Sequence, residues 1–233
     1  MDDASIFCIY YILYCEMSVS IISYTKSVVK TCEDLKEIVA YCARVSNPGN
    51  QNNVETSERL IKYLLRNKHW SPFEMVSICL EINTTRDIAR QLLRHRSFAF
   101  KEFSQRYAEP TDMTPIIREA RLQDEKNRQN SIVTDDAILQ REWEEKQRAV
   151  WQACENAYTW AREKGIAKEV SRSVLPEGLT STRLYMHGNL RSWIHFLQVR
   201  CDISTQKEHR DIANKCAEQI VTIFPNLFDV ITS

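Results

Sequence analysis

Glycine is scarce in this 233-residue chain: Gly49, Gly165, Gly178 and Gly188 are all there is. A P-loop needs glycines framing a short phosphate-cradling turn, and a GxGxxG dinucleotide turn needs three within six residues, so neither can be built here. Any nucleotide must be held by side chains. Net charge is absent too, since 31 Lys+Arg balance 31 Asp+Glu. That removes the bulk attraction toward nucleic acid or an anionic membrane and leaves only local anion binding. The eight cysteines form no CxxC pair. This spacing excludes a zinc ribbon or a disulfide-stapled secreted domain, gives no metal site, and points to reduced thiols in an intracellular protein. No apolar run is long enough to span a bilayer. The most apolar stretch lies in residues 1–16 and opens with Asp2-Asp3, where a signal peptide would carry positive charge. We read 1–16 as an apolar appendage and 17–233 as a single domain, with Met17 the expected functional start. A composition of 43% hydrophobic and 27% charged residues is that of a soluble, cytoplasmic globular protein.

What the chain does have is a local concentration of base. Arg86–Tyr107 carries six Lys/Arg against two acidic residues, interleaved with Phe98, Phe100, Phe103 and Tyr107. The approach is helical: over Thr84–Arg96, Ile88, Ala89, Leu92 and Leu93 form an apolar stripe, with Asp87, Gln91 and Arg94 opposite. Continued further, that helix would place Arg96 within the stripe. Either the helix stops first, or a buried guanidinium requires a partner. Beyond it, Glu102, Ser104 and Arg106 alternate at period two, which on an extended segment turns a carboxylate, a hydroxyl and a guanidinium to one face. Such a face can hold a nucleotide, with Arg for phosphate and the others for sugar or base edges. A solvated basic face is the bland alternative.

The remaining pattern alternates strands and helices. Val19–Val29 reads as a strand, followed by a helix opened by Thr31 and Asp34 and using Leu35, Ile38, Val39 and Cys42. A second helix spans 58–67, a strand 75–83. Residues 118–136 are polar and predict a surface excursion or a poorly packed helix. Arg141–Lys164 predicts a long amphipathic helix with Trp143, Val150, Cys154, Ala157, Tyr158 and Ala161 on its buried side, stopped by Gly165. A strand at 179–186 precedes a helix over Asn189–Arg200, whose stripe is Leu190, Trp193, Ile194 and Leu197 and whose opposite side groups Arg191, His195 and Gln198. Thr205 and Glu208 are expected to cap a last helix built on Ile212, Ala213, Cys216, Ala217, Ile220 and Val221.

Four of these stretches together carry a resemblance. Arg94-His95-Arg96, seven residues, then Ser104, with Gln91 before and Gln105-Arg106-Tyr107 after, is similar to the signature of flavin-dependent thymidylate synthases. His69-Trp70-Ser71-Pro72-Phe73-Glu74 resembles that family's flavin-contacting segment. Arg172 before Val174-Leu175-Pro176 resembles its nucleotide-contacting arginine. Asn189-Leu190-Arg191 and Val199-Arg200 match a further motif, with His195 standing where family members can carry asparagine.

The resemblance implies an α/β (α+β) fold of the thymidylate synthase-complementing type, a central mainly antiparallel sheet flanked by helices. It implies reductive methylation of dUMP to dTMP, with methylenetetrahydrofolate giving the carbon and NADPH-reduced FAD the hydride. Gln91, Arg94, Glu102, Ser104, Arg106, Arg172 and Arg200 match positions that hold dUMP. His69, Ser71, Glu74, Arg94, His95, Arg96, Asn189, Arg191 and His195 match those around FAD. Arg200 matches the arginine that activates the pyrimidine electrostatically, where other thymidylate synthases use a cysteine thiolate; no cysteine lies in the motif. Ser104 has no obvious base beside it and reads as a positioning group. A homotetramer with sites shared between subunits is implied, and neither nucleic acid nor membrane is a partner. Two other classes stay open on the residues alone: a nucleic-acid binder using Arg86–Arg106, which predicts steep salt dependence, and a nucleotide-binding relative without turnover.

Overall fold

The computed structural model describes residues 17–107 and 114–227; the appendage at 1–16 lies outside them. Four strands form the central sheet: β1 (Ser18–Tyr24), β2 (Ser77–Thr85), β3 (Ala99–Glu102) and β6 (Ser181–Asn189). Their order is β1-β2-β6-β3, and every pairing is antiparallel. The sheet and the helices around it make the mixed fold that the sequence implies. Ile78, Leu80 and Ile82 of β2 alternate inward and are fully buried, as are Leu184 and Met186 of β6. Strict period two is what buries one face of a sheet.

That face is covered by α1 (Leu35–Ala43), α2 (Ser57–Arg66), α3 (Arg86–Leu92), α6 (Leu190–Arg200) and α7 (Lys207–Val221), which share one apolar core with it. A two-stranded hairpin, β4 (Arg121–Gln123) with β5 (Ser131–Val133), leads to α4 (Ala137–Glu163), and α5 (Lys168–Ser171) follows. Among the described residues no helix is long and apolar enough to cross a membrane.

Local details depart from the expectations, each for a physical reason. The first strand stops at Tyr24, because Thr25 turns its backbone and hydroxyl to Ser77. Asp34 alone caps α1, accepting from Glu37 N at 2.8 Å while the Glu37 carboxylate returns to Asp34 N. Thr31 instead bonds Asn52. The 118–136 stretch is the excursion carrying the hairpin and contains no helix. On α4 the buried side is Gln147, Trp151, Tyr158 and Ala161. Tyr158 and Ala161 are buried as expected, but Trp143 and Val150 are about half exposed and Ala157 is exposed, so only part of the expected stripe is buried. The helix meets α5 and the turn after it, and it holds the 118–120 segment by amide bonds from Gln140 and Gln147, so a polar residue, Gln147, takes a buried place on it. Glu208 does not cap α7: it is 6% exposed and paired with Arg121, and Thr205 donates to Val199 O.

Candidate functional site

The arginine-rich segment owes its shape to the end of α3. The helix stops at Leu92, and three successive turn bonds, Arg94 N to Gln91 O, His95 N to Leu92 O and Phe98 N to His95 O, coil the chain back on itself. This resolves the Arg96 problem: it leaves the apolar stripe and is exposed, as is Arg94. Between them His95 turns inward. The segment then runs along α6 in the opposite direction, with Ser97 O accepting from Ser192 Oγ and His95 meeting Phe196 and Arg200.

At the C-terminal end of α6, Arg200 donates from Nε to His95 Nε2 at 3.1 Å. The acceptor nitrogen must carry a lone pair, so His95 is unprotonated there. Burial, helped by the charge of Arg200, pushes its pKa down to about 4. A second ring, His209 of α7, lies 6.2 Å from His95 between centroids and is fully buried. Burial, then Arg200, then His95 push it down to about 4 as well. Its Nδ1 meets Gln91 Oε1 at 3.1 Å. Gln91 Nε2 donates to Gln206 Oε1 at 2.8 Å, Gln206 to Glu208 at 2.9 Å, and Arg121 to Glu208 at 2.5 Å. Burial tends to raise the Glu208 pKa, but the bonds from Gln206 and Arg121 outweigh it and the net shift is downward. Gln91, His95 and Arg200 are thus brought together within one chain, from two separate motifs.

A second group sits at the far end of β3. Glu102 accepts from Thr182 Oγ1 at 3.2 Å and faces Arg86 at 3.6 Å, and Arg86 reaches Glu177 at 3.7 Å. The Glu102/Ser104/Arg106 alternation breaks, because the chain turns over Gln105–Tyr107 and Tyr107 N bonds Ser104 O. Ser104 Oγ accepts from Arg106 N at 3.4 Å, and the Arg106 guanidinium extends to within 4.0 Å of Glu169. Gln105 is buried instead, its Nε2 without a partner among the described residues. Arg172 opens the short turn before Leu175, half-buried, with no ion pair among the described residues.

The third group surrounds the start of α6. Asn189 caps it, its Oδ1 accepting from Ser192 N at 2.8 Å. Arg191 is ion-paired with Glu74, and His195 packs on Trp70 with ring centroids 4.8 Å apart. Ser71 begins the short 3-10 turn that carries Glu74, and His69 stands edge-on to Tyr63. Gly188, just before Asn189, has no room for a side chain: a Cβ there would lie 2.5 Å from the Phe98 ring. Its absence of a side chain lets the motif segment close onto the end of β6.

The nine steps from Arg191 to Arg200 rise about 14 Å along the helix axis. Within one chain Asn189 and Arg191 therefore stand at the opposite end of α6 from Arg200, with His195 midway between them. Sequence reasoning missed Arg86, Arg121, Gln206 and His209. The only signal for the last two was a run of polar residues at the start of α7, which reads equally well as a cap.

The description "thymidylate synthase complementing protein" belongs to the family model that matches residues 27–226. A probable flavin-dependent thymidylate synthase of Paramecium bursaria Chlorella virus 1 is 48% identical over 211 residues, spanning 91% of this chain and 97% of the relative. A flavin-dependent thymidylate synthase of Synechocystis sp. is 49% identical over 214 residues, with the same two coverages, 91% and 97%. Among solved structures, the UMP/dUMP methylase PolB from Streptomyces cacaoi, bound with 5-Br dUMP, superposes with a TM-score of 0.76 at 25% identity, covering 93% of this chain and 95% of that one.

Proposed function

The chain belongs to the thymidylate synthase complementing family, whose members named above are flavin-dependent thymidylate synthases, and from that premise we propose the reaction and the roles of its residues. It is a methyltransferase that converts dUMP to dTMP, with methylenetetrahydrofolate as carbon donor and NADPH as reductant of FAD. Residues 17–233 act as one domain, intracellular and soluble, and four copies assemble into a homotetramer that shares its sites. Sharing accounts for the separation along α6: groups about 14 Å apart in one chain can complete sites with a neighbour.

The donor set fits FAD. With four glycines and no phosphate loop, a pyrophosphate needs side-chain cations, and Arg94 and Arg96 stand exposed on a tight turn with no ion pair among the described residues. Asn189 at the start of α6, Arg191 and His195 on it, His95 from the turn after α3, and His69, Ser71 and Glu74 from the segment before β2 supply further polar groups. When bound, reduced flavin supplies the hydride that completes the methyl group.

The protein's own task is to make uracil carbon 5 nucleophilic. Arg200, facing the pyrimidine edge, favours charge at ring nitrogen 3 and its spread toward carbon 5. Its planar fork suits that edge, because one donor is fixed on His95 and the others remain. Gln91, Arg94, Glu102, Ser104, Arg106 and Arg172 hold dUMP by its phosphate, sugar and base. Ser104 positions and does not attack.

The observation that carries the reading is the hydrogen bond of Arg200 to His95 beside Gln91. It joins two motifs 105 residues apart in sequence around one guanidinium. The test is the visible spectrum of purified protein before and after FAD, then dUMP. A flavin spectrum that shifts with dUMP, followed by dTMP formation with methylenetetrahydrofolate and NADPH, is the expected result. A protein that ignores both ligands overturns it.

A further inference from the structure

The polar chain beginning at Arg121 ends on a ring that no motif marks, and its direction is fixed by elimination. Glu208, ionised against Arg121, can only accept. Gln206 must therefore turn its Nε2 to it, which leaves the Gln206 oxygen for Gln91 Nε2. The Gln91 oxygen is then the atom facing His209 Nδ1, and an amide oxygen cannot donate. So His209 carries its proton on Nδ1 and its lone pair on Nε2.

That lone pair is the unexplained atom. Nε2 is fully enclosed and has no partner among the described residues, in a ring with 0% exposure. The ring packs 6.0 Å from Phe196 and 6.2 Å from His95, the residue already bonded to Arg200. The charged or titratable groups nearby are Arg200 from α6, His95 from the turn after α3, Glu208 on α7 itself and Arg121 from β4 beyond Glu208.

We propose that His209 is a positioning residue for Arg200: its Nε2 lone pair, unpartnered among the described residues, takes a guanidinium N–H when dUMP binds, so that two imidazoles hold the cation and leave its other donors to the pyrimidine. The choice of imidazole has a physical reason. A carboxylate partner would orient the guanidinium equally well but cancel the charge that has to act on the substrate. Arg200 has no ion-paired carboxylate among the described residues, whereas Arg191 at the other end of the helix does. An uncharged acceptor orients without cancelling. This rests on the reading of Arg200 as the group facing dUMP.

Two variants separate the two nitrogens of the ring. His209→Asn keeps a donor for Gln91 and removes the acceptor at Nε2; His209→Gln can place an oxygen there. With FAD-loaded protein, His209→Asn is expected to lower kcat roughly ten- to hundredfold, in the range of orienting partners elsewhere. Its dUMP affinity, read from the flavin spectrum, should hardly move, and His209→Gln should recover most of the rate. Equal impairment of both variants indicates a packing role and overturns the proposal. Parent-like turnover of His209→Asn beside an inactive Arg200→Ala overturns it while leaving the Arg200 reading intact. An active Arg200→Ala overturns both. If His209→Asn does not fold, the parent still decides: in FAD-loaded protein with nitrogen-15-labelled histidine, a neutral ring protonated at Nδ1 is expected, with an Nε2 resonance that moves on adding dUMP. An Nε2–H tautomer or an imidazolium overturns the proposal.

Discussion

The two ends of α6 use the same residue types in opposite ways. At its start, Arg191 is paired with Glu74, both are more than a third exposed, and His195 lies open on Trp70. At its end, Arg200 is bonded to a histidine, a second histidine is fully buried beside it, and both rings are held neutral. Water screens the first arrangement, so opposite charges can meet there at little cost or gain. At the second, His209 is fully buried while His95 and Arg200 are half-buried, so charge facing the buried ring is screened less. Among the described residues, one helix thus carries an arginine paired with a carboxylate and an arginine bonded to a histidine; both arginines are half-buried, so the partner and not solvent access distinguishes them.

The strongest way to break the contrast is Arg200→Ala. Loss of a fixed donor aimed at developing charge predicts a fall in kcat of about a hundred- to a thousandfold. Steady-state assays of dTMP formation check this, with FAD content confirming that the holoenzyme is intact.

Next comes acid. His95 and His209 have folded pKa values pushed down to about 4 against 6.5 when free. The unfolded chain takes up protons first, so their stabilising contribution is complete above pH 6.5 and is lost as pH falls from 6.5 toward 4. For the buried His209 the loss is on the order of 2–3 kcal/mol. Urea unfolding at a series of pH values measures it, and His209→Phe should flatten the profile in that window.

Gly188→Ala attacks the seam between the two ends, where the motif segment closes over β6. A Cβ 2.5 Å from the Phe98 ring forces that ring aside. The expected destabilisation is about 1–2 kcal/mol, visible as a lower Tm. The smallest effect is expected from Glu74→Gln. Breaking an exposed pair should change stability by less than about 1 kcal/mol, and salt titration should shrink the difference further.

Legibility in the sequence followed the same division. The α6 stripe of Leu190, Trp193, Ile194 and Leu197 was readable and is wholly buried, because that helix is enclosed by the sheet and α7. On α4 the same periodic reasoning was right in part: Tyr158 and Ala161 are buried, whereas Trp143, Val150 and Ala157 are not. Gln147 is buried there and Trp160 is 56% exposed, which shows how weakly apolar character dictates burial on that helix. The motif arginines were visible as residue types, yet nothing in their spacing told that His95 would turn inward while Arg94 and Arg96 turn out. Glu208 looked like a cap because helix starts favour acids. Its partner Arg121 is 87 residues away, beyond the reach of local pattern.

The sequence by itself determined the family, the alternation that buries one face of β2 and β6, and the requirement that phosphates be held by side chains where glycine is missing. These are local or compositional facts, and each can be read from neighbours in the chain. Only the tertiary structure decided which histidines are neutral, which arginine keeps its charge uncancelled and which way the Gln91 amide points. Those depend on burial and on hydrogen-bond direction, and both are set by groups that meet only once α3, α6, α7 and β4 have packed together.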